Sequence, residues 1–129
     1  MFQLRVEDYF ASAHQLRDYR GKCENLHGHN WRVGIVVSGE RLDSLGMLVD
    51  FAVLKKILKR NLDRLDHSFL NRIPPFDSIN PTSENLAEHI FALLSGELPA
   101  GAEMTSVTVW ESDRCAAVYR RDSPGAPDA

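Results

Sequence analysis

A chain of 129 residues fits one domain, and its 43% hydrophobic share supplies a core that needs no disulfide staple. Fifteen basic against eighteen acidic residues give a net charge of −3 with no long basic run, so neither a nucleic acid nor a membrane surface is an expected partner. No stretch reaches the roughly 18 apolar residues of a membrane span, and "MFQLRVEDYF" lacks the basic region and apolar run of a signal peptide, which together predict a cytoplasmic protein.

Phe2, Leu4 and Val6 alternate with polar neighbours, the period of a strand with one buried face, and the same parity carries Phe10 and His14 to that face. Trp31, Val33, Ile35 and Val37 form a second alternating run. His27 and His29 share its parity, and Ser38-Gly39 with the polar stretch to Gly46 ends it. From Asp50 the period lengthens: Phe51, Leu54, Leu58, Leu62 and Leu65 recur every three or four residues, with Lys55, Lys56, Lys59 and Arg60 opposite. This predicts an amphipathic helix capped by Asp50 and ending at "LDH", residues 65–67. "NRIPPFDSINPT" is predicted as loop, because its three prolines forbid a regular element.

Thr82 caps a second predicted helix, marked by Leu86, Ile90, Leu93 and Leu94 and stopping near Gly96 and Pro99. Thr105, Val107, Val109 and Glu111 alternate again, and the polar "ESDR" leads into "CAAVYR" as a closing hairpin. "RDSPGAPDA" has no apolar pattern, so residues 1–121 are the expected domain and 122–129 a loose tail. The order ββααββ predicts an α+β fold: a four-stranded antiparallel sheet with two helices on one face. Its two unpaired edges favour association with other copies, without fixing a number.

Residues i and i+2 of an extended segment project to one side, so His27 and His29 can ligate a single ion, with Gly28 leaving room between them. Alone, a His-x-His pair is as readily an ordinary surface or packed feature. His14 adds weight, because a neighbouring strand would bring it to the same face. Three histidines with one coordination position open are the set of a catalytic zinc.

Cys23 then has two readings: a fourth ligand that closes a structural zinc, or a thiolate acting on whatever fills the open position. A free thiol in a cytosolic chain is more often catalytic or metal-bound than paired, so a bridge between Cys23 and Cys115 is not expected. Asp66 and His67 are either a proton relay, with the carboxylate supporting the imidazole, or a histidine resting at the negative end of a helix. Glu111 shares a strand face with Val107 and Val109, where a carboxylate needs a donor. It either salt-bridges at the end of the sheet or accepts paired N–H groups from a planar heterocycle. His89, beside Glu88, is expected in solvent, and Cys115, among small residues, in the packing.

Six segments, "FASAH", "CENLHGHN", "GMLVDF", "LDHSFLN", "NPTSENLA" and "VWES", stand in the order found in the 6-pyruvoyl-tetrahydropterin synthase family. From about Phe10 to Tyr119 the chain resembles that family. Cys23 stands close before the His27-Gly28-His29 run, a short spacing similar to the 6-carboxy-tetrahydropterin synthases of queuosine biosynthesis; pyruvoyl-forming members usually carry a longer insert. The resemblance implies the tunnelling fold (T-fold), assembled into trimers, often paired as hexamers, around a continuous barrel. It implies His14, His27 and His29 as zinc ligands, Cys23 as the catalytic thiol, Asp66 with His67 as the relay, and Glu111 as anchor for the guanidine-like edge of a pterin.

The implied reaction converts 7,8-dihydroneopterin triphosphate to 6-carboxy-5,6,7,8-tetrahydropterin, acetaldehyde and triphosphate. The alternatives are the 6-pyruvoyl-tetrahydropterin synthase reaction, which keeps all three side-chain carbons, and a non-catalytic zinc module closed by Cys23. Ser12 and Gln15 depart from the small-residue pair and arginine common around the first histidine, which bears on local packing or phosphate contacts and on no ligand. Arg17, Lys22 and Arg114 are candidate contacts for the triphosphate.

Overall fold

A computed structural model describes residues 1–18 and 25–122. Strands β1 (Phe2–His14) and β2 (His27–Gly39) are followed by helix α1 (Phe51–Leu62), a short strand β3 (Ser68–Phe69) and a single 3-10 turn (Leu70–Arg72). Helix α2 (Ser83–Ser95) and strands β4 (Glu103–Ser112) and β5 (Cys115–Arg120) complete the order. Both predicted caps are in place: the Asp50 carboxylate accepts the Ala52 N–H and the Thr82 hydroxyl accepts the Asn85 N–H, satisfying amides that the first helical turn leaves free.

The sheet runs β3-β1-β2-β4-β5, so it has five strands where the sequence predicts four. β3 pairs parallel with β1, Ser68 opposite Ser12, which makes the sheet mixed rather than wholly antiparallel. Two residues carry no hydrophobic period. The segment is extended because β1 holds it: the Ser12 hydroxyl donates to the Ser68 carbonyl at 2.5 Å and the His67 N–H to the Ala11 carbonyl at 2.6 Å. Helix α1 also ends at Leu62 rather than at residues 65–67, so Asp66 and His67 lie in the turn into β3 and no helix dipole supports the imidazole.

One face of the sheet is the core face. Val6 and Phe10 of β1, Trp31, Val33 and Ile35 of β2, and Val107 and Val109 of β4 are buried together with Leu54, Leu58 and Leu62 of α1 and Leu86, Ile90 and Leu94 of α2. Removing this apolar surface from water is what holds the helices to the sheet. Among the described residues no helix covers the other face, where Arg5, Glu7 and Tyr9 are exposed and the Arg32 guanidinium lies 3.8 Å over the Trp110 ring. Cys115 is exposed, contrary to the packing expected of it, because β5 is an edge strand whose residues are almost all accessible. His89 is half-buried rather than solvated: the loop before α2 folds Phe76 edge-on to its ring at 5.1 Å. No helix among the described residues is long and apolar enough to cross a membrane.

Candidate metal centre

Register decides what converges at the far end of this sheet. Phe10 faces Trp31, Ser12 faces His29 and His14 faces His27 across the β1–β2 ladder, so the parity that buries the core carries three imidazoles past the end of the helices. Their ring centroids are 4.6 Å (His14–His27), 4.6 Å (His27–His29) and 5.0 Å (His14–His29) apart. Trp31 stands edge-on to His14 at 4.9 Å and to His29 at 5.1 Å, forming an apolar wall behind them. Glu111, at the end of β4, brings its Oε1 to 3.1 Å from His29 Nε2 and 3.4 Å from His14 Nε2. One ligand atom from each of His14, His27, His29 and Glu111 lies within 4.8 Å of every other.

The protonation states follow from the partners of the outer nitrogens. His14 Nδ1 lies 2.9 Å from the Pro81 carbonyl and His27 Nδ1 lies 2.7 Å from the Asn25 carbonyl. A carbonyl only accepts, so each Nδ1 carries a proton, and a ring so held, when neutral, presents a bare lone pair at Nε2. Those two Nε2 atoms are 3.0 Å apart. Burial, the largest influence, holds His14 and His29 below the usual imidazole value, which keeps both neutral near pH 7. His29 Nε2 is buried, and the charged atom beside it is Glu111 Oε1 at 3.1 Å.

Two inward-facing lone pairs, on His14 and His27 Nε2, therefore converge with His29 Nε2 and the Glu111 carboxylate. Facing lone pairs repel without a cation, and with one the set supplies nitrogen and oxygen ligands, two of its three rings held from behind by backbone carbonyls. The side chains present fit a metal ion.

Asp66 and His67 are a separate construction. Asp66 Oδ1 accepts the Ala11 N–H at 2.8 Å while its Oδ2 lies 2.8 Å from His67 Nδ1, so the carboxylate is pinned to β1 and in turn orients the ring. His67 adopts φ 51°, a left-handed backbone uncommon outside glycine, and its side chain is 83% exposed. No hydrogen bond or ion pair joins this pair to the histidine cluster among the described residues. His67 and His29 do border one shallow cavity of about 390 Å³, together with Ala11, Ala13 and Gly28. Larger depressions, about 620 Å³ beside Gly39 and Gly101 and about 690 Å³ over Arg5 and Arg32, are lined by no histidine or cysteine.

Cys23 and Lys22 lie outside the described residues. Arg114 is exposed in the β4–β5 turn. Arg17, a candidate phosphate contact from sequence, spends its guanidinium on three carbonyls, those of Phe76 at 2.6 Å, Ile79 at 3.0 Å and Asn71 at 3.3 Å. Sequence reasoning missed the Pro81 and Asn25 carbonyls that set the tautomers, and no residue type signals a backbone group.

An α+β sheet with helices on one face and a metal-ready histidine cluster at its end is the class that fold and site define. The chain belongs to the 6-pyruvoyl tetrahydropterin synthase family, whose sequence profile matches residues 3–122. It is 40% identical to a 6-carboxy-5,6,7,8-tetrahydropterin synthase from Synechocystis, over 92% of this chain and 93% of that one. It is 32% identical to the enzyme of the same name from Bacillus subtilis, over 95% and 80% of the two chains. The human 6-pyruvoyl tetrahydrobiopterin synthase is 35% identical over 90% and 82%. Among solved structures, the 6-pyruvoyl tetrahydropterin synthase of Caenorhabditis elegans superposes with a TM-score of 0.83 at 29% identity, covering 94% of this chain and 96% of that one. The fold is thus the tunnelling fold of that family.

Proposed function

We propose that this chain is a zinc-dependent 6-carboxy-5,6,7,8-tetrahydropterin synthase of queuosine biosynthesis, acting in the cytoplasm on 7,8-dihydroneopterin triphosphate. The observation that carries the reading is the convergence of His14, His27 and His29, two of them with tautomers fixed so that Nε2 faces inward. Names borne by the Synechocystis and Bacillus relatives favour the carboxy-forming reaction, as does the short interval between Cys23 and His27.

In this reading the three imidazoles hold zinc, which when bound supplies Lewis acidity toward the hydroxyls of the substrate side chain. Cys23 as thiolate removes a proton from that side chain. His67, oriented by Asp66, returns or relays one; positioned acid–base groups of this kind contribute about 10²- to 10⁴-fold each. Glu111 accepts N–H groups from the guanidine-like edge of the pterin and fixes its register. Within one chain the His67 ring is exposed and unlinked to the cluster, so the relay meets a substrate at the cluster only across the shared depression or from a neighbouring copy.

The human relative's name marks the second reading, formation of a pyruvoyl product without carbon loss. Product analysis with the triphosphate substrate separates them. Acetaldehyde released in step with triphosphate is the expected result; a pyruvoyl pterin with no acetaldehyde assigns the other reaction. Cys23→Ala should keep about one zinc per chain and abolish turnover, whereas loss of zinc and of folding would make the thiol a structural ligand.

A further inference from the structure

The segment just after His14 is stitched to the proline-rich loop before α2 in an unusually complete way. Asn71 pairs with the backbone of Gln15 in both directions: its Oδ1 accepts the Gln15 N–H at 2.9 Å and its Nδ2 donates to the Gln15 carbonyl at 2.7 Å. Asn80 does the same two residues on, its Oδ1 accepting the Arg17 N–H at 2.8 Å and its Nδ2 donating to the Arg17 carbonyl at 3.0 Å. Each amide thus acts as one rung of a ladder that the loop cannot build from its own backbone. The Arg17 side chain then closes the loop from within, donating to the carbonyls of Asn71, Phe76 and Ile79. A fork of fixed N–H groups can serve three acceptors at once, which the single ammonium of a lysine cannot do with the same geometry.

The next carbonyl along this loop, Pro81, is the one that receives the proton of His14 Nδ1. Its neighbour Asn80 is held on the other side as well, its carbonyl accepting Asn85 Nδ2 at 2.8 Å at the start of α2. His14 and the group that fixes its ring are therefore two ends of one closed circuit: β1, Arg17, the loop, Pro81 and back to the imidazole. We propose that Arg17, together with Asn80, is a positioning residue of the metal centre, holding the Pro81 carbonyl where it fixes the tautomer and tilt of His14. The inference rests on the metal reading of the histidine cluster and assigns Arg17 a role unrelated to the triphosphate.

Outer partners of metal-bound histidines are typically worth about 10- to 100-fold in metal affinity. Zinc affinity of the full chain, measured by competition with a chromogenic chelator, is expected to fall by about that factor in Arg17→Ala and Asn80→Ala. The visible bands of the cobalt-loaded protein should shift in both, because the ligand field changes. Arg17→Lys, which keeps the charge and loses the fork, should resemble Arg17→Ala and serves as the readout if the alanine variant does not fold. Asn61→Ala is the control. Its buried amide donates to the Ile57 carbonyl and to Glu97, far from the cluster, so it should lower the urea midpoint and leave zinc affinity and cobalt bands as in the unmodified chain. Arg17 and Asn80 variants that lose stability but keep zinc affinity and cobalt bands within twofold of the unmodified protein would reduce the clamp to a fold-holding device. An unmodified chain that binds no zinc overturns the metal reading itself, and the positioning role with it.

Discussion

Glu111 stands between two roles at the residue scale. Its Oε1 is near enough to His14 and His29 to share an ion with them, and its side chain is still 31% exposed toward the open side, where a planar N–H pair could reach it. Glu111→Gln keeps an acceptor and removes the charge. As an anchor, the variant should retain its zinc and show a KM raised on the order of 10- to 100-fold, the value of a hydrogen bond to a charged group. Loss of zinc on dialysis would instead make the carboxylate a ligand. Asp66 offers an acid-range test. The Ala11 amide, and after it His67, hold its carboxyl below the ordinary 3.8, with desolvation opposing them. A depressed folded value means that stability from this group is complete above 3.8 and is lost as pH falls through the lowered value. Urea midpoints of the metal-free protein and of Asp66→Asn should therefore converge as the solution is acidified below that point; a constant gap would place the stabilisation elsewhere. The three histidines were legible because the strand parity that buries Trp31 is local and regular. The Arg17 clamp was not, since its acceptors are backbone carbonyls brought near by a loop with no period to read.

At the scale of elements, what was local was readable. Asp50 and Thr82 announce helix starts by their own chemistry, and both accept the expected amides. Thr82→Ala should cost about 1 kcal/mol, seen as a lower urea midpoint with an unchanged slope. A variant of unchanged midpoint would mean that water or Asn85's other bonds replace the cap. β3 was invisible for the opposite reason: Ser68 and Phe69 are a strand only because Ser12 and Ala11 of β1 offer partners. The same dependence shortened α1, because the chain must leave the helix after Leu62 to bring Asp66 to the Ala11 amide. Cys115 misled because alternation predicts burial only where something covers the strand, and at the edge strand β5 nearly every side chain stays accessible.

At the scale of the whole molecule, the described strands leave the sheet open at both sides. Among the described residues, β3 covers β1 only at Ser12 and Ala13, and β5 has no neighbour beyond it. Phe2 at 47% and Tyr9 at 63% exposure lie on β1, and Val118 at 55% lies on β5. Open edges flanked by apolar side chains favour pairing with further copies. Light scattering should return a mass of three or six times 14.6 kDa. A species that stays at 14.6 kDa up to micromolar concentration would count against assembly and against any contribution of a second copy to the site.

The facing Nε2 atoms of His14 and His27 have a mechanical meaning as well. They sit on the last rung of the β1–β2 ladder among the described residues. An ion seated there would rivet the two strands together, and removing it would set the like partial charges of the two Nε2 atoms against each other. Under the metal reading, chelation should lower the urea midpoint of the protein as well as stop turnover, and a midpoint unchanged by chelator would separate the two.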